Sequence, residues 1–93
     1  MTAAYAVAEE VIAAELEGEA VLLNLATKAY FRLNPTATVV WQGVERGLDR
    51  AALLAELCAS FEVDRDAASP ELDRVLADLE ARSLIQPGAP DRA

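Results

Sequence analysis

The chain has no histidine, a single cysteine, four glycines and few aromatic residues. Without histidine there is no Ser-His-Asp or Cys-His catalysis, and the commonest metal ligand is missing. Cys58 alone forms neither an internal disulfide nor a thiolate zinc site. Gly18, Gly43, Gly47 and Gly88 follow neither the P-loop nor the dinucleotide-binding spacing, so no phosphate cradle is encoded. Cations are scarce too: eight Lys and Arg face sixteen Asp and Glu, for a formal charge of −8. That balance argues against a nucleic-acid partner, which is held through clustered Lys and Arg. No apolar run approaches the roughly 20 residues of a membrane span. Met1 to Leu16 lacks a basic start and carries Glu9, Glu10 and Glu15, unlike a secretory signal.

What is present is enough for one modest core. The 93 residues are 54% apolar, too apolar for disorder. A chain of this size buries about 60–65% of the surface that its unfolded form exposes. The expectation is a soluble, cytoplasmic domain that binds rather than catalyses, with no cofactor and no metal.

Residues 1–8 read as a flexible lead-in or as a strand that needs a partner. Val11 to Leu16, then the turn signal Glu17-Gly18-Glu19, then Ala20 to Leu25 suggest a hairpin, with Val21, Leu23 and Leu25 alternating onto one face. Ala26-Thr27-Lys28 is a polar turn, and Ala29-Tyr30-Phe31-Arg32-Leu33 a third strand with an aromatic pair. Short connections between them imply an antiparallel meander. At Asn34-Pro35 the signals change to an N-cap followed by proline, and Val40, Trp41 and Val44 recur at helical spacing before Gly47. Asp49 caps a second helix whose apolar face is Leu53, Leu54, Leu57, Cys58 and Phe61. Glu62 to Ala68 reads as an acidic connection. Ser69-Pro70 then opens a third helix, Glu71 to Arg82, with the stripe Leu72, Val75, Leu76 and Leu79. Gln86-Pro87-Gly88 is expected to stop regular structure, leaving 87–93 as a tail. The fold class expected is α+β, a three-stranded antiparallel sheet followed by three helices, in a winged-helix-like arrangement.

The carboxylate pairs Glu9-Glu10, Asp64-Asp66 and Asp78-Glu80 fall in turns and on outer helix faces, where they are solvated charge. Asp78 and Arg82 make an i,i+4 surface pair. Cys58 and Trp41 read as core residues. The third strand stands out. As the edge of a meander it offers unpaired N–H and C=O groups, a template for a strand from another peptide. The alternative is that Phe31 and Leu33 face the core and Tyr30 lies on the surface. The residues alone leave both open.

Several stretches resemble the PqqD-like family, the small peptide-chaperone domains also called RiPP recognition elements. They are Val21-Leu22-Leu23-Asn24-Leu25, Ala29-Tyr30-Phe31-Arg32-Leu33-Asn34, Thr38-Val39-Val40-Trp41, Gly47-Leu48-Asp49, Leu53 to Phe61, and Leu72 to Ile85. The resemblance covers roughly residues 9–86. The Tyr-Phe-x-Leu-Asn form looks most like the stand-alone leader-binding proteins of lasso-peptide pathways. The resemblance implies a non-catalytic binder of the leader of a ribosomally made precursor peptide. The leader would add as a strand to the third strand and pack against the third helix. Carried over, the peptide-binding residues are Lys28, Ala29, Tyr30, Phe31, Arg32 and Leu33 on the strand. On the helix they are Leu72, Asp73, Val75, Leu76, Leu79 and Glu80. The implied partners are the leader peptide and a modifying enzyme, either a leader peptidase or a radical SAM enzyme. Some relatives exchange N-terminal strands, so residues 1–8 are flexible or exchanged in a homodimer. Two other readings stand beside it: a winged-helix DNA-binding protein, which the acidic third helix disfavours, and a structural dimeric subunit with no peptide ligand.

Overall fold

A computed structural model describes residues 5–87. Its first hairpin turns on Glu17 and Gly18, both at positive φ (55° and 83°). That pair of left-handed residues gives a two-residue turn whose twist matches the flanking strands, which are Val11–Leu16 (β2) and Glu19–Asn24 (β3). A second antiparallel pairing joins β3 to Tyr30–Arg32 (β4), so the sheet order is β2-β3-β4. Three helices follow: Pro35–Glu45 (α1), Arg50–Phe61 (α2) and Arg65–Ala81 (α3). The α+β order of a three-stranded sheet and then three helices is therefore as expected.

Two further strands flank this frame. Tyr5–Val7 (β1) pairs antiparallel with Ile85–Pro87 (β5) in a small second sheet. Of the two readings of the N-terminal stretch, Tyr5–Val7 takes the strand, and its partner lies at the other end of the chain. Gln86 and Pro87, expected to end regular structure, instead belong to a strand. The proline is confined to the end of a two-stranded ribbon, where a lost ladder donor is tolerated. Met1 to Ala4 and the residues after Pro87 lie outside the described residues.

The phase of β3 is opposite to the one expected. Ala20, Leu22 and Asn24 are buried, whereas Val21 and Leu23 are half-buried on the outer face and Leu25 is exposed. Asn24 is the reason that apolar alternation misleads. Its Oδ1 accepts from the Ala26 and Thr27 N–H groups at 2.9 and 3.1 Å, and its Nδ2 donates to the Ser83 carbonyl at 3.3 Å. The hydrogen bonds offset the cost of taking this amide out of water. At the strand's other end the Ala20 N–H donates to Thr38 Oγ1 of α1, which ties sheet to helix.

Helix starts follow side-chain caps. Asn34, Asp49 and Asp64 each accept from the N–H three residues on, at 2.8, 2.9 and 3.0 Å. The third cap corrects the expected start at Ser69-Pro70: α3 begins at Arg65, takes in most of the expected acidic connection, and carries Pro70 inside it. Asp64, with Asp66 in the first turn, holds the start against the one hydrogen bond that proline removes. The core unites Leu22, Val40, Trp41, Leu53, Leu57, Leu72, Leu79 and Leu84. Gly43 marks the closest approach of α1 to α2; a Cβ there would lie 2.4 Å from Leu53 Cδ2. Phe61, expected on the core face of α2, is 39% exposed at the helix end.

Candidate functional site

Ladder parity decides which backbone groups of β4 are free. The Asn24 N–H donates to the Ala29 carbonyl, and the Leu33 N–H to the Ala20 carbonyl, at 2.8 and 2.9 Å. These bonds place residues 29, 31 and 33 in hydrogen-bonded pairs with β3. Tyr30 and Arg32, in the alternate positions, turn their N–H and C=O groups outward. Among the described residues no backbone group bonds them. The edge is open.

Side chains on that edge divide by face. Phe31, opposite Leu22, is half-buried on the inner face, and Leu33 is buried. Tyr30, opposite Leu23, is on the outer face and 69% exposed. Arg32 shares that face and pairs with Glu19 at 2.9 Å. Lys28 is exposed in the turn, at φ 64°. Phe31 and Leu33 thus face inward and Tyr30 outward, as the second of the two expected readings has it. The backbone edge stays free all the same, because inward side chains and outward backbone groups belong to different atoms.

Beside the edge runs a groove of about 240 Å³, lined by Phe31, Arg32, Leu33, Asn34, Ala37, Asp78 and Arg82. Its far wall is the C-terminal turn of α3. The Arg82 guanidinium lies 5.1 Å from the Phe31 ring centroid, and its Nε donates to Asp78 Oδ1 at 3.1 Å. A cation over an aromatic face and a carboxylate within reach give this wall both signs of charge above an apolar floor. Such a wall suits an extended peptide that carries apolar and polar side chains in alternation.

The structure brings together only part of the expected set. Ala29, Tyr30, Phe31, Arg32 and Leu33 belong to the edge or the groove, with Lys28 in the turn before them. Leu72, Val75, Leu76 and Leu79 are all buried in the core. Asp73 faces α2, where it pairs with Arg50 at 2.8 Å. That hydrogen bond is the main cause that holds its carboxyl below the ordinary aspartate range; desolvation opposes it, and the Arg50 charge adds a lesser downward pull. Glu80 lines a separate polar hollow with Glu10, Asn24, Thr27 and Ser83. Asp78, Arg82, Asn34 and Ala37 were not among the expected site residues. The Asp78–Arg82 spacing was visible as a surface pair; that this pair stands over Phe31 is a tertiary fact. A wider and shallower hollow of about 690 Å³ sits at the α2–α3 corner, lined by Cys58, Val63 and Asp64 among others, away from the sheet edge.

Comparison with protein families gives one match, to the model described as Coenzyme PQQ synthesis protein D (PqqD), over residues 19–85. The chain belongs to the PqqD family. The match runs from the start of β3 into β5, and so takes in the open edge and the groove. Among solved structures, this PqqD-family chain is similar to TbiB1 in complex with the TbiA(beta) leader peptide. The identity is 28%, the TM-score 0.82, and the likeness covers 87% of this chain and 94% of the other. It is also similar to a lasso peptide synthetase B1 complexed with the leader peptide, at 25% identity and a TM-score of 0.81, over 91% and 100% of the two chains. No curated protein matches the sequence. Among the described residues no helix is long and apolar enough to cross a membrane, and no cluster of His, Cys, Asp or Glu could hold a metal ion.

Proposed function

We propose that this PqqD-family domain binds the leader segment of a ribosomally synthesised precursor peptide and presents it to the enzyme that modifies it. The observation that carries this reading is the open β4 edge beside a walled groove. Tyr30 and Arg32 offer outward backbone groups, and α3 supplies Asp78 and Arg82 alongside. The leader adds as a strand to β4, gains main-chain hydrogen bonds there, and places alternate side chains between Phe31 and α3. The likeness to two solved leader-peptide complexes supports the same reading and favours a lasso-peptide pathway, with a leader peptidase as the enzyme served, over one with a radical SAM enzyme. The domain's own part is binding and positioning; the chemistry belongs to the partner, in the cytoplasm where the precursor is made.

The buried members of the expected helix set act from beneath the groove: Leu72, Val75, Leu76 and Leu79 hold α3 in place. Asp73 and Glu80, on other sides of the helix, are not assigned peptide contacts. A DNA-binding role draws no support from α3 and its C-cap, where Asp66, Glu71, Asp73, Asp78 and Glu80 face only Arg65, Arg74 and Arg82. Arg74 is also paired with Glu71.

The test is a calorimetric titration of the purified chain with a synthetic leader encoded beside its gene. Saturable one-to-one binding is expected, weakened by Arg82→Ala with the fold intact. Absence of binding, or binding indifferent to every change at β4 and Arg82, would overturn the reading. Leu76→Ala is unsuited as a probe, since truncating a buried leucine costs about 2–5 kcal/mol of stability and confuses binding with unfolding.

A further inference from the structure

We infer that the domain docks on the enzyme it serves through the other edge of the sheet, β2, and the flank of α1 beside it. The enzyme presents there an extended segment in which basic and apolar residues alternate. The same parity argument locates the free backbone groups. The Leu25 N–H donates to the Glu10 carbonyl at 2.7 Å, which puts residues 10, 12, 14 and 16 in hydrogen-bonded pairs with β3. Val11, Ala13 and Glu15 therefore turn their N–H and C=O groups outward. The Val11 N–H is taken by the Ala8 carbonyl at 3.2 Å, whereas Ala13 and Glu15 have no backbone partner among the described residues.

Charge around the edge selects the strand that can join it. Glu9, Glu10, Glu15, Glu17 and Glu19 fall within residues 9–19, which hold no Lys or Arg. Among the described residues only Glu19 of these has a cation partner, Arg32. Glu15, opposite buried Ala20 in the ladder, points to the inner face, where the Gln42 amide of α1 holds its carboxylate. Glu45 lines the same hollow, of about 110 Å³. An inward charge guards an edge against chance pairing. It repels an acidic strand, a second copy of this chain included, and becomes a contact for a strand that brings a cation. Trp41 also lines the hollow. It is 1% exposed and its indole N–H has no acceptor among the described residues, so the hollow calls for a polar occupant. Ladder geometry then fixes the pattern of the segment. Its residues opposite Ala13 and Glu15 lie on the inner face, where cations meet Glu15 and Glu45. Their neighbours lie on the outer face, where apolar side chains cover Ile12 and Leu16, each 54% exposed. Lys28 and Arg32 at the β4 edge disfavour the same segment there. Because the two edges are opposite sides of one sheet, leader and enzyme are held at once, as a handover requires. The inference rests on the reading of the domain as one that serves an enzyme.

Calorimetric titration of the full chain with the leader peptidase encoded beside its gene, with and without leader, tests this. Binding is expected to weaken as salt rises and to persist when leader occupies β4. Glu15→Gln combined with Glu45→Gln removes both charges and keeps the side-chain shapes. Enzyme affinity should fall by about tenfold or more, while leader affinity stays the same. Ala13→Pro deletes an outward N–H and no bond to β3, and should weaken the enzyme too, with unchanged leader affinity as the sign of an intact fold. If Ala13→Pro does not fold, the glutamine pair decides. In the ¹⁵N-labelled chain the single indole resonance, that of Trp41, should shift with enzyme and stay in place with leader alone. A chain that binds leader and no enzyme would overturn this inference and leave the leader reading standing, whereas a chain that binds enzyme and no leader would overturn the leader reading alone. Enzyme binding that neither salt nor the glutamine pair alters, or an indole resonance that the enzyme leaves in place, would also overturn the inference.

Discussion

The two edges of the β2-β3-β4 sheet expose the same kind of backbone group and differ in everything around it. β4 is three residues long, ends in the cap of α1, and looks across a groove at Asp78 and Arg82 of α3. β2 is six residues long and rich in alanine; α1 stands beside it, where Gln42 holds Glu15 and, with Trp41 and Glu45, lines a small hollow of about 110 Å³. An edge with a wall reads the side chains of whatever joins it. The hollow beside β2 is smaller and its charged groups, Glu15 and Glu45, are all acidic, with no cation to match those at β4. The difference teaches that an open edge by itself is a template, and that the neighbouring helix turns it into a selective site.

Both edges hang on the middle strand, so the largest effect comes from its core. Leu22→Ala should cost about 2–5 kcal/mol, read as a lower Tm or urea midpoint, and should weaken both edges together. Asn24→Ala should cost about 1–3 kcal/mol, because the Ala26 and Thr27 donors and the Ser83 carbonyl lose their partner. Arg32→Pro separates the edges. It deletes one outward donor of β4 and none of its bonds to β3, so leader affinity should fall by up to about tenfold, the worth of one main-chain hydrogen bond, with little change in Tm. If affinity is unchanged, the peptide does not join β4 as a strand. The smallest effect lies away from both edges. Arg50 holds the Asp73 carboxyl low, so the pair's contribution to stability is present above the ordinary aspartate range and is lost as pH falls through the lowered value in the folded state. Arg50→Gln should return the Asp73 titration, followed by NMR, to the ordinary range while leader affinity stays the same.

Much of this was legible in the residues. The switch from two-residue alternation to helical spacing at Asn34-Pro35, the caps at Asn34 and Asp49, and the open third strand all rest on local chemistry, and local chemistry is what a sequence writes most clearly. Three features were not. The burial phase of β3 was misread because valine and leucine at 21, 23 and 25 outnumber the polar clue at Asn24, whose burial depends on Ser83, 59 residues away. The start of α3 was set too late because Ser69-Pro70 imitates a cap and Asp64 is the true one. The β1–β5 pair joins the two ends of the described chain, and three residues of Tyr-Ala-Val do not announce their partner. The groove failed in the same way. Leu72, Val75, Leu76 and Leu79 form the apolar stripe that periodicity selects, and periodicity selects core; the wall beside the peptide edge is the polar flank at Asp78 and Arg82.

Asn24 spans the rim between sheet and helix. Its side chain bonds the β3–β4 turn on one side and the carbonyl of Ser83, just past α3, on the other. The spacing between strand edge and helix end is thus gauged by one amide, while the leucine core beneath fixes only that the two layers touch. A gauge of this sort can be reset without rebuilding the domain. Asn24→Asp, which cannot donate to Ser83, would alter the clearance of the groove and leave its lining unchanged, so related domains could retune which peptides fit by a substitution that touches no peptide at all.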